Sequence, residues 1–190
     1  MTNKLIVIAG PTGVGESTIT KELIKRFPSF IRLVTATTRP PRPGEKEGVD
    51  YFFLSKAEFE NKIKNGEILE YQNTRDGSYY GTLGKELKSK LEQGYNIIAN
   101  YDIVGTRFFK EKYGSISIFV LPESLESLKK RHVDRNPNID EKELTARLKY
   151  AEHEITKEAP FYDYQVVNKY GQLEIALEEI HQILKKEKIV

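Results

Sequence analysis

The sequence contains no cysteine, which excludes disulfides, thiolate metal sites and cysteine nucleophiles and fits a reducing compartment. It has little net charge. Thirty Lys and Arg against 28 Asp and Glu leave +2, too near neutral to argue for nucleic acid or an anionic membrane as a partner. Histidine is scarce, and His132, His153 and His181 share no metal-type spacing, so they read as solvated helix-surface residues. Long apolar runs are missing too. Met1 to Lys4 holds no basic leader region, and Leu5 to Ala9 is too short for a signal-peptide core or a membrane span. The expected location is therefore cytoplasmic. Repeats, low-complexity tracts and flexible linkers are absent.

What is present is a globular composition. Charged residues make up 31% and the hydrophobic set 38%, which separates the chain from disordered ones. Its 190 residues suffice for one sizeable core, with or without a small inserted subdomain. The apolar run Leu5-Ile-Val-Ile-Ala9 suits a central parallel strand covered on both faces. Ile19, Leu23, Ile24 and Phe27 then recur at helical spacing, predicting a helix from about Glu16 to Pro28. The middle third differs. A short strand is expected at Tyr51 to Leu54, then a helix opened by the capping pair Ser55 and Glu58 and stopped near Gly66. Glu67 to Asn73 and Ser78 to Thr82 flank Asp76-Gly77, a hairpin signal.

After this α+β insertion, roughly residues 35–82, alternation resumes. Strands are expected at Asn96 to Ala99, Ser115 to Leu121 and Tyr164 to Asn168. Asp140 and Glu143 form a second capping pattern, for a helix running towards Glu158, and Leu173, Ala176, Leu177, Ile180, Ile183 and Leu184 stripe a C-terminal helix. The whole predicts an α/β fold: a parallel sheet with helices on both faces, formed by residues 1–34 and 83–190 and carrying the insertion.

Gly10-Pro11-Thr12-Gly13-Val14-Gly15-Glu16-Ser17-Thr18 matches the phosphate-binding loop G-x-x-x-x-G-K-[ST] at every fixed position except the lysine. Its glycines let backbone amides face a phosphate, the following helix presents its positive dipole end, and Ser17 offers a hydroxyl to Mg²⁺. Glu16 changes the chemistry. The motif lysine stabilises charge on the transferred phosphoryl group. One unit charge pair at about 4 Å and an effective dielectric near 20 is worth about 4 kcal/mol, so the exchange lowers the rate by about three powers of ten. Pairing with an arginine, or neutralisation by Mg²⁺, would relieve the carboxylate without supplying the missing donor.

The segment Thr35-Ala-Thr-Thr-Arg39-Pro-Pro-Arg42-Pro-Gly-Glu45-Lys-Glu-Gly48-Val-Asp50-Tyr51 resembles the guanylate kinase signature. The likeness continues through Glu67-Ile-Leu-Glu70-Tyr and Ser78-Tyr-Tyr80-Gly81-Thr82 and covers about residues 3 to 187. It implies a P-loop core, a GMP-binding insertion and a polar lid at about 134–142, with ATP and GMP as ligands and Mg²⁺ as cofactor. Arg39 and Arg42 would grip the acceptor phosphate in the bidentate manner of planar guanidinium groups, with Tyr51 and Tyr80 adding hydroxyl contacts and Thr35 and Glu45 in the same loop. Glu70, Thr82 and Asp102, beside Gly81, would read the guanine edge, whose N1–H and N2–H₂ donors suit a carboxylate. Gly10 to Thr18, Arg131, Arg135 and Asn168 would handle ATP. Arg131, Arg135, Arg147 and Arg39 would carry catalysis, together with Glu16 in the lysine position.

Departures from the family pattern fall mainly on the ATP side, while the acceptor side is nearly complete, with Ala36 where a serine or histidine is common. Asn100 stands where the family carries an acid that helps organise the metal shell, and Val104 replaces a glutamine. Three readings follow. The first is an enzyme transferring phosphate from ATP to GMP, giving ADP and GDP, with turnover lowered by Glu16 and Asn100. The second is a catalytically degenerate relative that binds GMP or another guanine nucleotide as a sensor or regulator. The third is a protein-interaction module, which the retained GMP residues disfavour.

Overall fold

The computed structural model describes residues 4–74 and 76–190. Its centre is a five-stranded sheet ordered β2-β7-β1-β8-β9, built from β1 (Leu5–Ala9), β2 (Phe30–Arg32), β7 (Asn96–Ala99), β8 (Ile116–Leu121) and β9 (Tyr164–Val167). All its pairings are parallel. Every residue of β1 is buried, and the period-2 alternation of a strand divides them between two layers. Ile6 and Ile8 face a core formed with α1 (Glu16–Arg26), α5 (Leu125–Arg135) and α7 (Leu173–Lys186). Leu5 and Val7 face a second core with α3 (Gly84–Glu92) and α4 (Ile103–Tyr113). Covering both faces is what a continuous apolar parallel strand requires.

A second, four-stranded sheet has the order β4-β3-β6-β5, from β3 (Ala36–Thr37), β4 (Phe52–Phe53), β5 (Ile68–Asn73) and β6 (Tyr79–Leu83). Phe59, on α2 (Lys56–Lys64), is fully buried beneath it with Ala36 and Ile68. The Ser55–Glu58 capping box forms in full. At the other predicted cap, Asp140 accepts from the Lys142 and Glu143 amides to start α6 (Glu141–His153). Glu143 does not complete a box there; its carboxylate accepts from Arg147 instead, at 2.7 and 2.9 Å.

The helix expected to run to Glu158 changes character after His153. Glu154–Glu158 is a π turn and Ala159–Phe161 a 3₁₀ turn, a rare break that tends to mark functional sites. One reading of the sequence is corrected here. His132 is not a surface residue: it is buried, 5% exposed, on α5 against the glycine loop at Gly13. Its burial, with Arg147 and Arg135 nearby, lowers its pKa and favours the neutral ring. No helix among the described residues is long and apolar enough to cross a membrane.

Candidate active site

The turn after β1 is shaped by backbone that only glycine adopts freely. Gly13 and Gly15 have φ of 93° and 107°, in the left-handed range where a Cβ is strained. Gly15 is fixed a second way, because an added Cβ would lie 2.7 Å from Asn168 Nδ2. Asn168 Nδ2 donates to the Val14 carbonyl at 2.7 Å, and Arg131 Nη1 donates to the same oxygen at 3.0 Å. Arg131 Nη2 also donates to the Asn168 carbonyl at 2.6 Å. In this structure Arg131 and Asn168 therefore clamp the outer rim of the loop and line a small cavity of about 170 Å³ with Gly15, Thr18 and Tyr170. Arg147 is held by Glu143 on its own helix, and Arg135 is exposed at the end of α5.

The inner side of the loop opens on a cavity of about 420 Å³ between the two sheets. Gly10, Thr12, Glu16 and Ser17 line one end, and Thr35, Tyr51, Glu70, Tyr80 and Gly81 the other, with Asp102 and Asn100 in the wall. Two groups of residues, far apart in sequence, thus share one space. Beside the second end, bonded to the cavity residue Tyr80, Arg39 is held by a web of acceptors. Its Nη2 reaches both Glu45 carboxylate oxygens at 2.9 and 3.0 Å, and its Nε donates to Tyr80 Oη at 3.0 Å. The Glu45 hydrogen bonds, with the tyrosine adding, strengthen its protonated state further. Its guanidinium also lies 5.5 Å from the Tyr51 ring centre. Glu45 further accepts from the Arg42 amide at 2.7 Å, closing the turn that carries both arginines.

Deeper in, Thr82 Oγ1 lies 2.7 Å from Glu70 Oε1 and 2.8 Å from Tyr101 Oη. Burial raises the Glu70 carboxyl to about 7, with Asp102 adding and the Thr82 hydrogen bond opposing. Asp102 itself caps α4, accepting from the Gly105 amide at 2.9 Å.

The Glu16 carboxyl makes no hydrogen bond or ion pair with any described residue. Of the two relieving contacts the sequence suggested, the arginine does not form. Its carboxyl instead shares the cavity with Glu154 and Glu158, both on the π turn. Burial first and Glu154 second hold it well above the ordinary carboxylate range. Glu154 is likewise raised, to about 8, by burial and then by Glu158 and Asp102. Asn100 is tied inward: its Nδ2 donates to the Ile8 carbonyl at 3.0 Å and contacts Thr20 Oγ1 at 3.2 Å.

Sequence reasoning had not singled out Glu154, Glu158, Tyr101 or Arg32 as cavity residues. The π turn leaves no mark in an otherwise helical pattern, and Tyr101, though inside the divergent Asn100–Gly105 segment, carried no signal of its own beyond its place next to Asp102. A glycine-cradled anion loop at the carboxyl edge of a parallel sheet, facing an arginine-bearing α+β unit, defines a P-loop α/β phosphate-binding protein.

The comparisons narrow this class. The guanylate kinase family model matches residues 2–187. A guanylate kinase from Bacteroides thetaiotaomicron is 41% identical, over 98% of this chain and 90% of its own. One from Clostridium tetani is 42% identical, over 97% and 86%. The crystal structure of guanylate kinase from Anaplasma phagocytophilum superposes with a TM-score of 0.77 at 31% identity, covering all of this chain and 89% of that one. The chain belongs to the guanylate kinase family.

Proposed function

We propose that this protein transfers the γ-phosphoryl group of ATP to GMP, at a rate lowered by Glu16 and Asn100. The supporting observation is the shared cavity: Gly10, Thr12 and Ser17 at one end, Glu70, Tyr80 and Asp102 at the other. In the reaction a GMP phosphate oxygen attacks the γ-phosphorus in line, the bond from that phosphorus to the β–γ bridging oxygen breaks, and ADP leaves. No covalent enzyme intermediate is needed, since positioning and charge stabilisation do the work. Residues 35–82 would serve as the acceptor unit, with Arg39 and Arg42 taking the GMP phosphate and Glu70, Thr82 and Asp102 the base. Residues 1–34 and 83–190 would form the donor core, with the loop amides on the ATP phosphates and the segment at about 134–142 closing as a lid. Arg135, within that segment, and Arg147, on α6, would reach the phosphates when it closes. The expected compartment is the cytoplasm, where both nucleotides occur.

Magnesium fits the residues in one limited way. No set of three His, Cys, Asp or Glu side chains among the described residues is arranged to hold an ion, whereas the exposed Ser17 hydroxyl borders the cavity. Such a site suits a hard cation that keeps most of its oxygen shell as water and nucleotide phosphate. Bound there, it would neutralise phosphate charge during transfer.

A second reading, a guanine-nucleotide sensor with negligible turnover, is favoured by one specific feature, the carboxyl cluster of Glu16, Glu154 and Glu158 on the donor side. Coupled measurement of ADP release from ATP, with and without GMP, decides between them alongside calorimetric titration with GMP. GMP-dependent release supports the kinase. Binding without release supports the sensor. Absence of GMP binding refutes both.

A further inference from the structure

Tyr101 lies inside the Asn100–Gly105 segment, where the sequence assigns it no role, yet it touches Thr82 of the base-reading pair directly. It follows β7 and precedes Asp102, the N-cap of α4. Its ring stacks on Phe109 with centroids 4.5 Å apart and planes inclined by 15°. The ring also rests on Gly105, where an added Cβ would come within 3.0 Å of Tyr101 Cβ and 3.1 Å of Cδ1. Packing from two directions therefore fixes where the hydroxyl sits, 2.8 Å from Thr82 Oγ1.

Thr82 is fully buried on β6, and its hydroxyl has one hydrogen and two neighbours. An ionised carboxylate only accepts, whereas a hydroxyl both donates and accepts. With Glu70 ionised, the hydrogen of Thr82 must go to Glu70 Oε1 at 2.7 Å. Tyr101 must then give its own hydrogen to Thr82. In that ionised state the order of donation is fixed: Tyr101 to Thr82 to Glu70.

We propose that Tyr101 is a positioning residue for the acceptor base, holding Thr82 so that its single hydrogen serves either Glu70 or the carbonyl of an incoming guanine. This rests on the acceptor-site reading above. When the guanine N1–H and N2–H₂ groups satisfy Glu70, the Thr82 hydrogen is freed to turn to the base carbonyl. Tyr101 keeps donating to the same Thr82 oxygen throughout, so that oxygen is never left unpaired in a buried place. A purine with an amino group at that position offers no acceptor for the freed hydrogen and gains nothing from the relay.

The test is Tyr101→Phe, which keeps the stack on Phe109 and removes only the hydroxyl. Calorimetry with GMP should show affinity weakened roughly five- to tenfold, the usual range for one buried hydrogen bond. Affinity for AMP should stay unchanged, so the GMP-to-AMP preference narrows by the same factor. A role in packing alone would not produce that selectivity. Where turnover is measurable, KM for GMP should rise while kcat holds. In a Thr82→Val background the tyrosine change should add little, since the middle of the relay is already missing. Unchanged GMP affinity in Tyr101→Phe, equal losses for GMP and AMP, or additive effects of the two changes would each overturn the proposal. A parent protein that binds no GMP fails one step earlier and overturns the acceptor-site reading itself. If Tyr101→Phe proves unstable in a thermal melt, Thr82→Val decides alone: unchanged preference for GMP over AMP overturns the relay.

Discussion

Restoring lysine in the phosphate loop is the sharpest perturbation this protein offers. In Glu16→Lys the side chain would start α1 at the mouth of the cavity shared with Ser17, Glu154 and Glu158. A single charge acting on a phosphate at about 4 Å, at an effective dielectric near 20, is worth about 4 kcal/mol. Two features reduce that figure. Burial first and Glu154 second hold the Glu16 carboxyl well above the ordinary range, which weakens the negative charge that the exchange removes. Glu154 and Glu158 would also compete with the phosphate for the new ammonium group. About half the ideal value remains, or about 2 kcal/mol, corresponding to a rise in kcat of about thirtyfold at 1.4 kcal/mol per tenfold. Adding Glu154→Gln should raise kcat further by freeing the lysine from its competitor. Glu16→Gln, which removes the acid without supplying a cation, should recover little. The assay is coupled ADP release at saturating ATP and GMP, with GMP affinity followed separately by calorimetry and expected to stay constant. Equal kcat in parent, Gln and Lys forms would refute the assignment of Glu16 to the donor phosphate. A large change in GMP affinity would show that the residue acts on the other end of the cavity.

Two further outcomes follow from the geometry. Glu70, raised to about 7 by burial, must be ionised to accept from guanine; GMP affinity should therefore rise as pH increases from about 6 to 8, and a flat calorimetric profile would count against its role. The linked stability runs the other way: a folded-state pKa above the unfolded value near 4.3 makes the native state hold the extra proton, so this contribution is present below about pH 4 and is lost as pH rises through 7. Gly15→Ala meets both a φ of 107° and a contact of 2.7 Å with Asn168 Nδ2; a cost of about 2 kcal/mol should lower Tm by about 4–8 °C, and an unchanged melting curve would show that the loop relaxes freely.

Much of the molecule was legible in the chain itself wherever a local rule was sufficient. The apolar run 5–9, the Ser55–Glu58 cap, the Asp76-Gly77 turn and the glycines of residues 10–15 each specify their own neighbourhood. The fold class follows from their order, because alternating strands and helices close into a parallel sheet. Tertiary structure alone decided which side chains meet. Arg131 reaches the Val14 carbonyl across 117 positions and Asn168 across 154, so residues expected on ATP hold the loop rim here. His132 reads as a surface residue in the sequence because the three histidines share no metal-type spacing; its own place on α5 faces Gly13. The π turn brings Glu154 and Glu158 to Glu16, and the Tyr101 hydroxyl meets Thr82 only because Phe109 and Gly105 fix its ring. Local patterns record hydrogen bonding within a few residues and the side of an element that is apolar. Contacts between polar groups on different elements depend on how those elements pack, and no short stretch of sequence carries that information.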